Sequence, residues 1–329
     1  MRTASVDVRE LAAALGRGNR RALAEAVTLI ESTREDHREA AEELLTLLLP
    51  MTGNSVRLGV SGAPGVGKST FIEALGLTVI DADHRLAVLA VDPSSKRGGG
   101  SILGDKMRMA ELARHEEAFI RPSPAGTSLG GVARRTRDVI LVVEAAGFDV
   151  VIIETIGAGQ ADTAVADMVD LFLLLLAPDG GELQGIKKGI VELADLLVIN
   201  KADGEFEVAA LRAMADYQNA VRLLRPTEAV DVLAVSALGR KGIDQLWQEV
   251  ERRIAGRLAS DGISRRRAAQ TRAALWSEIR ERLIELFTSD AKLAKKLAQL
   301  EGKVVAGQLT PTAAVNVALK ALLGRRVPC

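Results

Sequence analysis

The chain has 329 residues, with 43 Lys and Arg against 43 Asp and Glu, and this balance excludes a general electrostatic attraction to nucleic acid or to an acidic membrane. Its 48% apolar content is enough to build the core of one large domain with additions. Cys329 is the only cysteine, so an intramolecular disulfide is excluded, and His37, His84 and His115 stand too far apart for zinc-ligand spacing.

The N-terminus lacks an apolar signal core, and Asp7 and Glu10 count against a presequence built on Arg2 and Arg9. Leu171 to Leu176 reads as an apolar strand and is far too short to span a bilayer, so the expectation is a soluble cytoplasmic protein that binds neither membrane nor nucleic acid. From Val6 to Leu49, apolar residues recur at helical spacing among charges, predicting about three helices broken near Gly16 to Asn19 and at Ser32 to Asp36. Pro50 to Ser55 reads as a linker.

Arg57 to Ser61 reads as a short strand and Lys68 to Leu75 as the start of a helix. Between them Gly62-Ala63-Pro64-Gly65-Val66-Gly67-Lys68-Ser69, with Thr70 next, spells a complete phosphate-binding loop in the context that motif requires. Backbone N–H groups of the turn and the helix N-terminus would cradle the α and β phosphates. Lys68 would reach the β and γ phosphates, and the Ser69 hydroxyl would bind magnesium.

Leu86 to Val91 is the next strand, and Asp92 at its end has the position of a magnesium carboxylate. Gly98 to Gly104 offers a glycine-rich loop before Asp105, which reads either as a helix N-cap or as a further part of the metal network. Val150 to Glu154 is another strand, with Glu154 where many GTPases carry aspartate. Gly157 has the position of the N–H that senses γ phosphate, and Gln160 is a candidate for orienting the attacking water. Loops of this kind close on γ phosphate and relax after hydrolysis.

The strand Leu196 to Ile199 ends in Asn200-Lys201-Ala202-Asp203. The Asp203 carboxylate can accept from guanine N1–H and the 2-amino group, for which adenine has no matching donors, so the base expected is guanine. Asn200 would hold neighbouring loops and the base edge, and the Lys201 stem would lie along the ring. Ser236-Ala237-Leu238, after the strand Val232 to Val235, matches the loop that closes over the base. GTP and GDP, as substrate and product, and Mg2+ are the ligands this set implies.

From Gly262 to Leu323 the pattern is helical, with Trp276, Leu283 and Phe287 on one apolar stripe and Lys292 to Leu300 as a short helix. Residues 252–329 hold 16 Arg and Lys against six Asp and Glu, which either faces an acidic partner or clothes exposed helices. Alternating strands and helices predict an α/β fold: a P-loop NTPase with a mostly parallel sheet flanked by helices, plus helical N- and C-terminal extensions. The expected domains are a helical arm (1–55), a GTPase domain (56–255) and a helical extension (256–329) that offers a dimerisation surface.

Several ordered stretches are more specific than a phosphate loop: Val91 to Ser95, Gly99 to Lys106, Phe119 to Pro124, Glu154 to Gln160 and Glu182 to Gly189. On them the chain resembles, nearly end to end, the MeaB/ArgK/MMAA family of SIMIBI-type P-loop GTPases, chaperones of adenosylcobalamin-dependent methylmalonyl-CoA mutase. The resemblance implies a homodimer joined through helical extensions. It also implies a GTPase that gates loading of intact cofactor into the mutase and release of damaged cofactor. Asp92, Asp105 and Glu154 then belong to the magnesium and switch network, and Lys188 matches the family lysine of a third switch that couples mutase binding to hydrolysis.

Ala158, Ala161 and Asp162 stand where relatives often have Val, Ser and Glu, and Ala177 to Gly181 departs from the Pro-Gly-rich third-switch loop. The latter leaves the client open between methylmalonyl-CoA mutase and a sister cobalamin-dependent acyl-CoA mutase. No cobalamin-ligating histidine motif occurs in the tail, so direct cobalamin binding is not indicated. Other readings of the same nucleotide machinery are a nickel-inserting metallochaperone, a small-molecule kinase and a nonenzymatic nucleotide-dependent scaffold.

Overall fold

The computed structural model describes residues 7–32, 34–91, 109–122, 129–155, 160–178, 188–225 and 230–323. Its elements in chain order are helices α1 (Val8–Gly16), α2 (Arg20–Glu31) and α3 (Glu35–Leu48), strand β1 (Val56–Gly62), α4 (Lys68–Asp81), β2 (Leu86–Val91), β3 (Ala118–Pro122), α5 (Leu129–Ala145), β4 (Val150–Thr155) and α6 (Gln160–Ala166). They continue as β5 (Leu171–Leu176), α7 (Lys188–Leu193), β6 (Leu196–Ile199), α8 (Glu207–Leu224), β7 (Asp231–Ala234), α9 (Ile243–Ala259), α10 (Gly262–Ser289), α11 (Ala291–Val305) and α12 (Pro311–Leu323). Among these residues no helix is long and apolar enough to cross a membrane.

The seven strands form one sheet in the order β3-β2-β4-β1-β5-β6-β7, and every pairing is parallel. A parallel sheet must bury both faces, which is why Leu171 to Leu176 is an unbroken apolar run and is buried along its whole length. Alternate residues feed two cores. Ala87, Leu89, Val151, Ile153, Phe172 and Leu174 face α5, α6, α8 and the N-terminal helices. Leu58, Val60, Val88, Ile152, Leu173 and Val198 face α4 and α9. Gly59 is required on the first face: a Cβ there would lie 2.7 Å from the Phe172 ring and 3.0 Å from Val165.

Six of the seven strands are those the sequence predicts; β3 is the addition. Ala118, Phe119 and Ile120 follow Glu116 and Glu117 and run into Pro122, so the apolar stretch is too short for its alternation to register. A sheet edge tolerates the proline. The sheet is also more regular than the mostly parallel arrangement expected, since no described strand runs against its neighbours.

The three N-terminal helices appear where expected, started by Asp7, which accepts from the Arg9 and Glu10 N–H groups, and by Asn19, which accepts from Arg21 and Ala22. Leu15, Leu23, Val27, Leu44 and Leu48 lie in the same core as α5 and the sheet. Arg20 donates to the Ala118 carbonyl at 2.8 Å, and Arg121 pairs with Glu31, tying α2 to the edge strand β3.

The chain forms two compact units, Met1–Gln270 and Thr271–Cys329. The sequence suggests a break at 255, but residues just beyond it bond the sheet. Arg267 pairs with the buried Asp170 at 2.6 Å and donates to the Ser55 carbonyl at 2.5 Å. Arg257 pairs with Asp195, and Gln270 donates to the Val169 carbonyl at 2.8 Å.

In the second unit, the helix expected over 292–300 extends over Ala291–Val305, started by Asp290, which accepts from the Lys292 and Leu293 N–H groups. The expected apolar stripe is largely uncovered: Trp276 is 60% and Leu283 43% exposed, and only Phe287 is half-buried.

Candidate functional site

The strands' carboxyl ends at the centre of the sheet, where β1 lies between β4 and β5, are where open α/β sheets bind ligands. Gly62 closes β1, and Lys68 opens the 14-residue α4. The N-cap residue Gly67 makes no side-chain cap bond to α4, in contrast to Asp7 at α1 and Asn19 at α2, and the N–H groups of a helix's first turn are suited to an anion. Gly67, at the N-cap, has φ 93°, and a Cβ on it would approach the Asn200 side-chain amide to 2.8 Å. The buried Lys68 folds back over the loop, its Nζ donating to the Gly62 carbonyl at 2.7 Å and to the Ala63 carbonyl at 3.1 Å. Its ammonium is therefore held at the loop's mouth, where phosphate oxygens can replace the carbonyls.

The guanine motif meets this loop directly. Asn200, 2% exposed, follows β6; its Nδ2 donates to the Val66 carbonyl at 2.9 Å, and its Oδ1 accepts the Ala237 N–H at 3.1 Å. Both ends of its amide are thus spent in joining the phosphate loop to Ser236-Ala237-Leu238. Of the two tasks the sequence suggests for Asn200, the contact between loops is the one the structure displays. Lys201, at φ 62°, donates through Nζ to the Gly65 carbonyl at 2.9 Å. Ser236 is fully buried, donates its hydroxyl to the Asp203 carboxylate and accepts the Gly239 N–H at 2.9 Å. It fixes the rotamer of the acid that would read the base. Leu238 is 85% exposed beside this turn, an apolar surface for a planar base.

Glu154 lies near the end of β4, in register with Val60 of β1 and Ala90 of β2, and is buried at 8% exposure. It and Ser69 are the described members of the expected metal set. Asp92, Asp105 and Gly157, with most of the third-switch loop (179–187), lie outside the described residues. Gln160 and Lys188 open α6 and α7, while their side chains also lie outside the described set. No group of three or more His, Cys, Asp or Glu suited to a metal occurs among the described residues. Magnesium in a phosphate-loop site takes few protein ligands besides phosphate and water, so a hydroxyl with sparse carboxylates fits it.

The sequence marks Asp162 only as standing where relatives often have Glu and assigns it no contact. It is 1% exposed in the first turn of α6, and its Oδ1 accepts both the Ser61 hydroxyl at 2.7 Å and the Thr155 hydroxyl at 2.6 Å. Ser61 is 101 residues away, so no local pattern signals the pair.

Known proteins resemble the chain over most of its length. The family model described as methylmalonyl Co-A mutase-associated GTPase MeaB matches residues 23–292. A putative GTPase of Caulobacter vibrioides is 50% identical over 321 residues, covering 96% of this chain and 98% of that protein. The mitochondrial methylmalonic aciduria type A homolog of Mus musculus is 45% identical, over 94% of this chain and 78% of that protein. Among solved structures, that of an LAO/AO transport system kinase superposes with a TM-score of 0.78 at 35% identity, covering 98% of this chain and all of that one.

Proposed function

The chain belongs to the MeaB family of methylmalonyl-CoA mutase-associated GTPases, and from that premise we propose that its GTP hydrolysis gates the loading and protection of an adenosylcobalamin-dependent acyl-CoA mutase. The nucleotide reading is carried by one observation: Asn200 and Lys201 of the guanine motif both donate to carbonyls of the phosphate loop, so the two motifs are joined at one place. The client reading is supported by the family's description and by the mouse relative's name.

In this reading the loop N–H groups and Lys68 hold the triphosphate, and Asp203, oriented by Ser236, selects guanine. Ser69 and Glu154, with Asp92 and Asp105, would hold Mg2+, which would neutralise charge on the β and γ phosphates. Lys68 stabilises the charge that develops as water attacks the γ phosphate in line. Gly157 would donate to the γ phosphate and Gln160 would orient the water, the roles their order in the sequence suggests. Lys188 couples the mutase to the site through the third switch.

The working unit is a homodimer in the cytoplasm. It is supported by the apolar residues that the second unit exposes, Leu275, Trp276, Leu283 and Ile284 among them, and by a single-cysteine composition suited to a reducing compartment.

The test is GTP turnover with and without the cobalamin-dependent mutase of the same organism, for the wild type and Lys188→Ala, with product analysis. Activation that releases free phosphate and disappears in the variant supports the coupling. An unchanged slow rate in every mixture removes the client assignment, and phosphate found on an acceptor removes the hydrolase chemistry.

A further inference from the structure

We infer that Asp162 is a positioning residue that holds the end of β4 against the root of the phosphate loop and thereby sets the γ-phosphate side of the site independently of the guanine side. The inference rests on the proposed placement of the γ phosphate at the end of β4.

Backbone pairing of β1 with β4 runs as far as Val60 opposite Glu154. One residue further on, Ser61 and Thr155 are bridged instead by a side chain, since the same Asp162 oxygen accepts both hydroxyls. All three groups are at most 1% exposed, so water does not compete for these bonds. Ser61 directly precedes Gly62, whose carbonyl holds Lys68, and Thr155 directly follows Glu154. The chain that leaves β4 at Thr155 returns in α6 seven residues later at the acid that binds Thr155, so both ends of this connection are pinned at one atom. The guanine side is held by a different set of bonds, those that Asn200, Lys201 and Ser236 make to Val66, Gly65 and Asp203.

The full chain is compared with Asp162→Ala, Asp162→Asn and Thr155→Val in single-turnover GTP hydrolysis and in binding of fluorescent GDP and of a nonhydrolysable GTP analogue. Asp162→Ala and Thr155→Val are expected to lower turnover and analogue affinity by about tenfold or more, the scale of one charge-assisted hydrogen bond, with GDP affinity held within about threefold. Asp162→Asn, whose amide oxygen still accepts, recovers most of the turnover. Equal weakening of GDP and the analogue, an unchanged rate in Thr155→Val, or no recovery in Asp162→Asn overturns the inference. Should Asp162→Ala fail to fold, the near-isosteric Thr155→Val decides the matter alone. A wild type without turnover, or a Lys68→Ala variant as active as wild type, would instead undo the underlying site assignment.

Discussion

Asn200 and Val66 are 134 positions apart, yet the Asn200 amide donates to the Val66 carbonyl at 2.9 Å. The residue that begins the base-selecting motif thus also supports the loop that would carry the phosphates. Asn200→Ala removes this bond and leaves the Val66 carbonyl and the Ala237 N–H unpartnered in a buried setting. The expected loss is about 1–3 kcal/mol of stability, with GDP and GTP affinity falling together. Urea unfolding and fluorescent-nucleotide titration on the same protein check it; a weakened GTP alone would contradict it.

Asp203→Asn replaces a two-acceptor carboxylate by an amide with one acceptor and a donor. Guanine then faces an N–H where it needs an oxygen, whereas xanthine presents a carbonyl there. GTP affinity is expected to fall about 100-fold, while xanthosine triphosphate becomes a substrate. Competition titration with the two nucleotides reads the exchange.

Gly67→Ala puts a side chain at φ 93° and within 2.8 Å of the Asn200 amide. Strain of about 1–3 kcal/mol and a displaced Asn200 are expected, with nucleotide affinity lost more than melting temperature. Calorimetry with and without GDP separates the two effects.

Asp170 is fully buried between Arg267 and the Arg57 N–H, to which it is bonded at 2.6 and 2.9 Å. The guanidinium of Arg267 has its pKa lowered by burial and raised by the Asp170 carboxylate, and the net shift is upward. Asp170→Ala removes the carboxylate that pairs with Arg267 and accepts the Arg57 N–H, and a loss of about 3–5 kcal/mol in unfolding free energy is expected. Chemical denaturation at neutral pH measures it, and a loss too small to resolve would show the pair to be dispensable.

Glu249 accepts from Arg252 and from Arg253, and the Arg252 bond above all holds its carboxyl down at about 2 against an ordinary 4.5. A depressed folded pKa contributes stability that is fully present above 4.5 and fades as pH falls towards 2. Glu249→Gln should therefore lower the urea midpoint at pH 6 and differ progressively less from wild type below pH about 4. A gap that widens in acid would reverse the assigned sign.

Much of the site is local chemistry and was legible in the sequence. The phosphate loop, the guanine motif and the strands before them are contiguous runs, readable from their glycine, lysine and carboxylate spacing. The N-terminal helices were equally legible from their apolar period and their Asp7 and Asn19 caps. Edge strand β3 was not, since three apolar residues between two acids and a proline carry no period.

By itself, then, the sequence determined the ligand class and the α/β alternation, because a motif of eight residues and a buried strand of six are each complete within one stretch of chain. Only the tertiary structure decided how those stretches support one another: that Asn200 braces Val66, that Ser236 aims Asp203, that Arg267 closes on Asp170 and that Asp162 joins Ser61 to Thr155. The reason is physical. A buried polar side chain must find its partner wherever the fold brings one, and parallel strands joined by crossover helices bring together residues that sequence distance keeps apart.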